Sequence, residues 1–170
     1  MTTPHWLGPI RQSAFVVSDI EAAATEWVET QGVGPWFLYQ VEIPDTNYRG
    51  QTVPMRARMG LAQSGGQQVE LIQPDPDVAS IYNEYLDSGG TGLHHVCYWA
   101  DIERAVSHFE TVGCSLVQRG QTGNGNEFAY LTGTAGVPYV ELVDPNGAMA
   151  GFFAAIADAA VDWDGSDPLR

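Results

Sequence analysis

The stretches Gln12–Val33, QSAFVVSDIEAAATEWVETQGV, and His95–Cys114, HVCYWADIERAVSHFETVGC, read as one pattern written twice. In each, an apolar run leads into Asp-Ile-Glu, then a segment with apolar residues at helical spacing, then a glycine. In the first copy Ile20, Ala23, Ala24, Trp27 and Val28 share a helical face, Ser18-Asp19-Ile20-Glu21 has the S-x-x-E form of a capping box, and Gly32 is placed to end the helix. In the second, Asp101 is the N-cap, the face runs Ile102, Ala105, Val106, Phe109 and Val112, and Gly113 follows. Each copy is therefore a strand followed by an amphipathic helix.

Working outward, each helix is followed by three runs rich in β-branched and aromatic residues. They are Trp36–Ile43, Val53–Ala62 and Gln67–Gln73 in the first half, and Cys114–Gln121, Glu127–Leu131 and Pro138–Val143 in the second, separated by glycine, proline and Asn-Gly. The fold class is α+β, a βαβββ module used twice. The organisation expected is an N-terminal arm over 1–9, a first module over 10–76, a linker over 77–91 with a short helix at Val78–Leu86, a second module over 92–146, and a C-terminal segment over 147–170. That last segment is read as a helix from Ala148 to Ala160 and a loose tail, VDWDGSDPLR.

Composition narrows the function. The chain has 170 residues, 44% of them hydrophobic, enough for one domain with a sizeable core. Its seven basic residues are all arginine, against 21 acidic ones, for a net charge of -14. That balance repels nucleic acid phosphates and anionic membrane surfaces, so neither is an expected partner. Without lysine there is no Schiff-base chemistry and no phosphate-loop motif; a polyanion would need a local cluster such as Arg49, Arg56 and Arg58. Cys97 and Cys114 fit no CxxC spacing and are read as reduced thiols. No segment approaches the roughly 20 apolar residues that span a bilayer, and a cytoplasmic protein is expected.

Strand side chains alternate faces, which tests whether polar residues converge. Phe15 and Val17 share one face of the first strand, leaving Gln12 with Ala14 and Val16. Val96, Tyr98 and Ala100 form the helix-facing set of the fifth, leaving His95 with Cys97 and Trp99; His94 then falls with Val96. The modules close on Val69-Glu70-Leu71-Ile72 and Val140-Glu141-Leu142-Val143, where Glu70 and Glu141 face away from the helices. If the sheets curl around a shared cleft, Gln12, Glu70, His95 and Glu141 all line it. Two glutamates facing one cavity repel unless a proton or a cation lies between them, and a divalent metal resolves that conflict. One imidazole with amide and carboxylate oxygens suits zinc, manganese, cobalt, nickel or iron.

The repeat, the GLHHV motif at Gly92–Val96 and the paired VEL strands resemble the vicinal oxygen chelate superfamily, also called the glyoxalase and bleomycin-resistance fold. SDIEAAATEWVETQGVGPWF and VELVDP are most similar to its methylmalonyl-CoA epimerase-like branch. The resemblance runs from about Ile10 to Ala155. It implies two βαβββ modules forming a curved mixed sheet around a central cleft, with one divalent metal held by Gln12, Glu70, His95 and Glu141. The epimerase branch usually has histidine where Gln12 stands, whereas zinc-type glyoxalase I uses a Gln, Glu, His, Glu set. Aligning the repeats from their helices would pair His94 with Gln12, so the repeat by itself leaves both histidines open.

The resemblance further implies a metal-dependent isomerase, epimerase or lyase acting on a small carbonyl or acyl substrate through a metal-stabilised enolate or oxyanion, with Glu141 as base and Glu70 as its partner. Two alternatives of the same fold are a glyoxalase I-type lyase and a binding protein for an antibiotic or aromatic ligand. A ring-cleaving dioxygenase would need His94 or His5 in the pocket. Trp36, Phe37, Tyr39, Cys97, Trp99, Phe128 and Tyr130 are the candidate pocket residues, the expected substrate is a bulky apolar or aromatic small molecule, and the expected assembly is a homodimer.

Overall fold

The computed structural model describes residues 5–170, with side chains from Trp6 onward, so the first part of the arm expected over 1–9 and the side chain of His5 lie outside the described residues. The first module consists of β1 (Gln12–Val16), α1 (Ile20–Gln31), β2 (Phe37–Tyr48), β3 (Gln51–Ser64) and β4 (Gln67–Pro74). After α2 (Ile81–Asp87) come β5 (Gly92–Trp99), α3 (Ile102–Thr111), β6 (Leu116–Gln121), β7 (Glu127–Thr134) and β8 (Val137–Val143), and α4 (Gly147–Ala160) ends the order. The architecture is α+β, as the sequence indicates. Among the described residues no helix is long and apolar enough to cross a membrane.

The sheet curves until it closes into a barrel with strand order β1-β4-β3-β2-β6-β7-β8-β5. Closure comes from pairing between the modules: β1 lies antiparallel to β5, and β2 antiparallel to β6. Within each module the first strand is parallel to the last, β1 with β4 and β5 with β8, a connection that needs the intervening helix as a crossover. The hairpin between β2 and β3 turns on Arg49 and Gly50, both at positive φ, as a two-residue turn matched to the strand twist requires.

Alternation divides the barrel wall. Its outer face carries Phe15, Val17, Val69 and Leu71 beneath α1, and Val96, Tyr98, Val140 and Leu142 beneath α3. Burying one such aliphatic side chain contributes about 1.5–3 kcal/mol, so these two layers fix the helices to the barrel. The inner face carries Ala14, Val16, Ile72 and Cys97. Two helices cover the open ends. α2 sits where β2 ends and β5 and β8 begin: its Tyr82 hydroxyl bonds that of Tyr130 at 2.9 Å, its Tyr85 hydroxyl donates to the Leu93 carbonyl, and its Glu84 accepts from Tyr139. At the opposite end Phe152 of α4 meets Phe37 and Tyr39 at the start of β2, and Phe153 stacks on Trp99 at the end of β5.

Four local expectations are corrected. The N-cap of α1 is Asp19 and not Ser18, because the Asp19 carboxylate accepts from the amides of Glu21 and Ala22 at 3.1 and 3.0 Å; there is no S-x-x-E box. Val112 is exposed, since α3 ends one residue before it. The linker helix starts at Ile81 rather than Val78, with the Ser80 hydroxyl accepting from the Asn83 amide as its cap. The tail is not loose: the amides of Trp36 and Leu38 donate to the carbonyls of Pro168 and Arg170 at 2.8 and 2.7 Å, and Arg170 returns a bond to Trp36. Trp163 folds over Gly34 so closely that a Cβ there would lie 2.6 Å from its ring, which keeps that position a glycine.

Candidate metal centre and cavity

Register places the polar residues that the sequence singles out. Ala14 of β1 lies opposite both Glu70 of β4 and His95 of β5, so a side chain of no bulk separates an acid on one flank from an imidazole on the other. Cys97 pairs with Glu141, which brings the second acid to the same face. The resulting cluster is tight: ligand atoms of Glu70, His95 and Glu141 all lie within 4.8 Å of one another, and all three residues are buried. His95 Nε2 stands 3.4 Å from Glu70 Oε2 and 3.2 Å from Glu141 Oε2.

His95 Nε2 is nevertheless a buried atom without a hydrogen-bond partner. The tautomer explains its direction. His94 Nε2 faces the Ile81 carbonyl at 3.3 Å, which can only accept, so the proton of His94 sits there. Burial first, and then the charge of His95, lower His94 to about 3, so the ring is neutral and its Nδ1 is an acceptor. His95 Nδ1 lies 3.0 Å away and donates to it. That leaves Nε2 of His95 facing the two carboxylates, with a proton there when the ring is charged and a lone pair when it is neutral. Parity alone would send His94 to the helix side with Val96. A register shift in the pairing of β1 with β5, where Ala14 meets His95 but Phe15 meets Leu93, leaves His94 as the extra residue of a bulge and turns it beneath α2.

The electrostatics separate the two acids. Burial by itself would lower His95, but Glu141 and Glu70 override it and push the imidazole up to about 9. Burial raises Glu70, and the charge of Glu141 raises it further, more than His95 lowers it. Glu141 is also raised by burial, yet His95, the Tyr130 hydroxyl and the Cys97 thiol together carry it below the usual range. Of the two, Glu141 is the settled anion and Glu70 the more basic carboxylate.

A cavity of about 470 Å³ opens in front of this cluster and is lined by Gln12, Glu70 and Glu141. Phe128 and Tyr130 line it as well. Trp36 does not: it is 0% exposed, packed beneath α1 with Trp27 and Leu71, a correction to its expected place in the pocket. Trp36 and Phe37 are adjacent along the chain and therefore point to opposite sides of the sheet. Phe37 and Trp99 do lie on the inner side, but at the mouth, where α4 covers them; Cys97 is packed beside Glu141 under the cavity floor. Tyr39, Met55, Met59 and Leu61, with Met149 and Phe152 of α4, complete the cavity wall. Tyr39 is expected in the cleft from the sequence, and its pairing with Met59 extends the wall, but nothing local places α4 over the mouth. Gln68, opposite Gln12 in the parallel pairing of β1 with β4, is buried with its Oε1 unpartnered.

Residues 11–130 match the model of the glyoxalase/bleomycin resistance protein/dioxygenase superfamily. The chain belongs to this superfamily. Among solved structures it is similar to methylmalonyl-CoA epimerase from Mycobacterium tuberculosis, at 18% identity and a TM-score of 0.60, covering 89% of this chain and 97% of that one. A hypothetical protein from Bacillus halodurans is similar at 17% identity and a TM-score of 0.56, covering 82% and 95%. A methylmalonyl-CoA epimerase in complex with methylmalonyl-CoA and NH4+ is similar at 20% identity and 0.54, covering 84% and 97%. No curated protein matches in sequence. At these identities the structural neighbours share the superfamily's fold with this chain.

The cluster fits a divalent ion. Two ligands held about 2.1 Å from one ion stand about 3.0–3.5 Å apart in tetrahedral or octahedral arrangements, which is the spacing of His95 Nε2 from both carboxylates. The donor set of one imidazole and two carboxylates, with Gln12 on the same cavity wall, suits zinc, manganese, cobalt, nickel or iron.

Proposed function

We propose that this chain is a metal-dependent isomerase or epimerase, or a lyase, acting on the carbon next to a carbonyl. The observation that carries the reading is the buried, unpartnered His95 Nε2 facing Glu70 and Glu141. Glu70, His95, Glu141 and Gln12 would hold the ion, which when bound supplies a Lewis acid beside the substrate carbonyl.

The protein's own groups supply the rest. Glu70, pushed up by burial, is the carboxylate suited to take the proton, and Glu141, which His95 pulls down against its burial, is the one that gains a proton less readily. This reverses the roles expected from the resemblance, and it follows from His95, helped by the Tyr130 hydroxyl and the Cys97 thiol, favouring charge on Glu141. The acids come from β4 and β8, on either side of β1 and β5, so a substrate between them meets a carboxylate on each side. Removal and return by Glu70 on its own side exchanges the proton, and return from the Glu141 side, once that carboxyl carries a proton, inverts the carbon and is epimerisation. The apolar walls limit water at the reacting carbon.

Metal analysis of purified protein, then deuterium uptake from solvent by carbonyl substrates, tests the reading. The ion is expected at one per chain and to be lost in both His95→Ala and Glu141→Ala, with uptake abolished in Glu70→Gln. Equal metal content in wild type and both alanine variants would sink it, and protein that takes up no metal would favour ligand binding without turnover.

A further inference from the structure

We infer that the site takes an uncharged, ring-bearing carbonyl compound rather than an acyl-CoA thioester or another anion. The inference concerns the substrate class of the site proposed above and rests on that reading only for the carbonyl end. Charge argues first. The cavity wall holds Glu70 and Glu141, with Glu42 exposed at its rim, and among the described residues no basic one lines it. A substrate carboxylate or phosphate would meet three carboxyl groups, because the charge of protonated His95, or of a divalent ion held there, is already offset by Glu70 and Glu141.

The cations are also committed elsewhere. The chain has seven basic residues, all arginine. Arg49, Arg56, Arg58 and Arg119 pair with Glu84, Asp75, Glu21 and the Glu103–Glu127 couple. Arg11, Arg104 and Arg170 lie over the rings of Trp99, Trp6 and Phe37. Arg11 and Arg170 are the ones near the mouth, on separate flanks of α4, and do not form the convergent cluster that a phosphorylated nucleotide arm requires.

Wall chemistry then says what does fit. Tyr39, Phe128 and Tyr130 present aromatic surface from the barrel, Phe152 and Phe153 from α4, and Met55, Met59 and Met149 fill the spaces between. Thioethers conform to a flat apolar body, and aromatic side chains stack or meet it edge-on. At about 470 Å³ the space lies within the range of small-molecule pockets. The buried polar groups Gln12, Glu70 and Glu141 converge at one end, whereas Gln40, Glu42 and Asn124 are exposed to solvent, so the substrate is oriented with its oxygens towards Glu70 and Glu141 and its ring beneath α4.

Calorimetric titration of the purified protein, as isolated and after treatment with chelator, with 1-tetralone and 2-hydroxyacetophenone on one side and propionyl-CoA and pyruvate on the other, tests this. The ring ketones are expected to bind at least tenfold more tightly than either anion, and Phe152→Ala to weaken them at least threefold with metal content unchanged. Tighter or equal binding of propionyl-CoA or pyruvate overturns the inference, as does binding of neither set. Metal content separates the two readings: protein that prefers ring ketones but holds no metal supports the substrate class while removing the metal-dependent reaction, and metal-loaded protein that prefers propionyl-CoA does the reverse.

Discussion

At the scale of the residue, the pair His94-His95 shows how one atom's role is set by its neighbour. His95 presents Nε2 to the acids because His94 Nδ1 accepts a hydrogen bond from its Nδ1, and His94 can accept there because its own proton, on Nε2, is donated to the Ile81 carbonyl. Ligand imidazoles are commonly oriented through their second nitrogen, and losing that partner costs about 10–100-fold in metal affinity. His94→Leu is therefore expected to weaken metal binding by about tenfold, whereas His94→Asn, whose amide oxygen falls near the place of Nδ1, restores most of it. Equal affinity in wild type and His94→Leu, measured by competition with a chromogenic chelator, would show that the tautomer is held some other way. Parity in the sequence places Gln12, Glu70, His95 and Glu141 on one side of their strands; in the structure Gln12, Glu70 and Glu141 line one cavity and His95 is buried between the two acids. Parity misplaces His94, because a bulge adds a residue that alternation does not count. Trp36 could have been read correctly from its neighbour Phe37, since consecutive strand residues do not share a face.

At the scale of the element, α2 is short and owes its position to Glu84. That carboxylate accepts from Arg49 at 2.6 and 2.8 Å, from the Tyr48 hydroxyl, and from Tyr139 at 3.2 Å. The Arg49 guanidinium is the main reason that Glu84 is lowered to about 2. A carboxylate lowered on folding adds stability above its unfolded value, and that stability is lost as pH falls from about 4.5 towards 2. Glu84→Gln is expected to cost about 1 kcal/mol near neutral pH, after allowing for solvent screening of a partly exposed pair, and to flatten the acid limb of the stability curve. Urea unfolding of both forms at pH 3 and pH 6 checks this; an equal difference at the two pH values would assign the effect to packing. The helices α1 and α3 are legible in the sequence because their faces repeat locally. The docking of the tail is not, since its bonds run to Trp36 and Leu38, far away in the chain.

At the scale of the whole molecule, barrel closure creates the need for a cation. The imidazole and both acids come from strands β4, β5 and β8, brought side by side about β1 only when the modules pair. In the absence of a metal a proton does the work: His95, raised to about 9, stabilises the fold fully below its unfolded value of about 6.5, and that contribution is lost as pH rises through 9. A metal competes with the same proton, so its apparent affinity is expected to rise with pH over this window. At a free concentration of 100 times the dissociation constant, binding adds about 2.7 kcal/mol to stability. Thermal melts between pH 6 and 8.5, with and without manganese or cobalt, are expected to show a melting temperature of the metal-free protein that falls with pH and a metal-induced gain that grows. A gain independent of pH would place the ion away from His95.

The sequence by itself determined the repeated βαβββ unit, the faces of its helices and strands, and an acidic charge balance ill suited to polyanions, because each is written in spacing along a single segment or in composition. Tertiary structure alone decided that the sheet closes, that α2 and α4 cover opposite ends, that Glu70 and Glu141 differ in basicity, and that His94 serves His95. Those depend on distances between segments remote in the chain and on burial from water, and neither is a property of any local pattern.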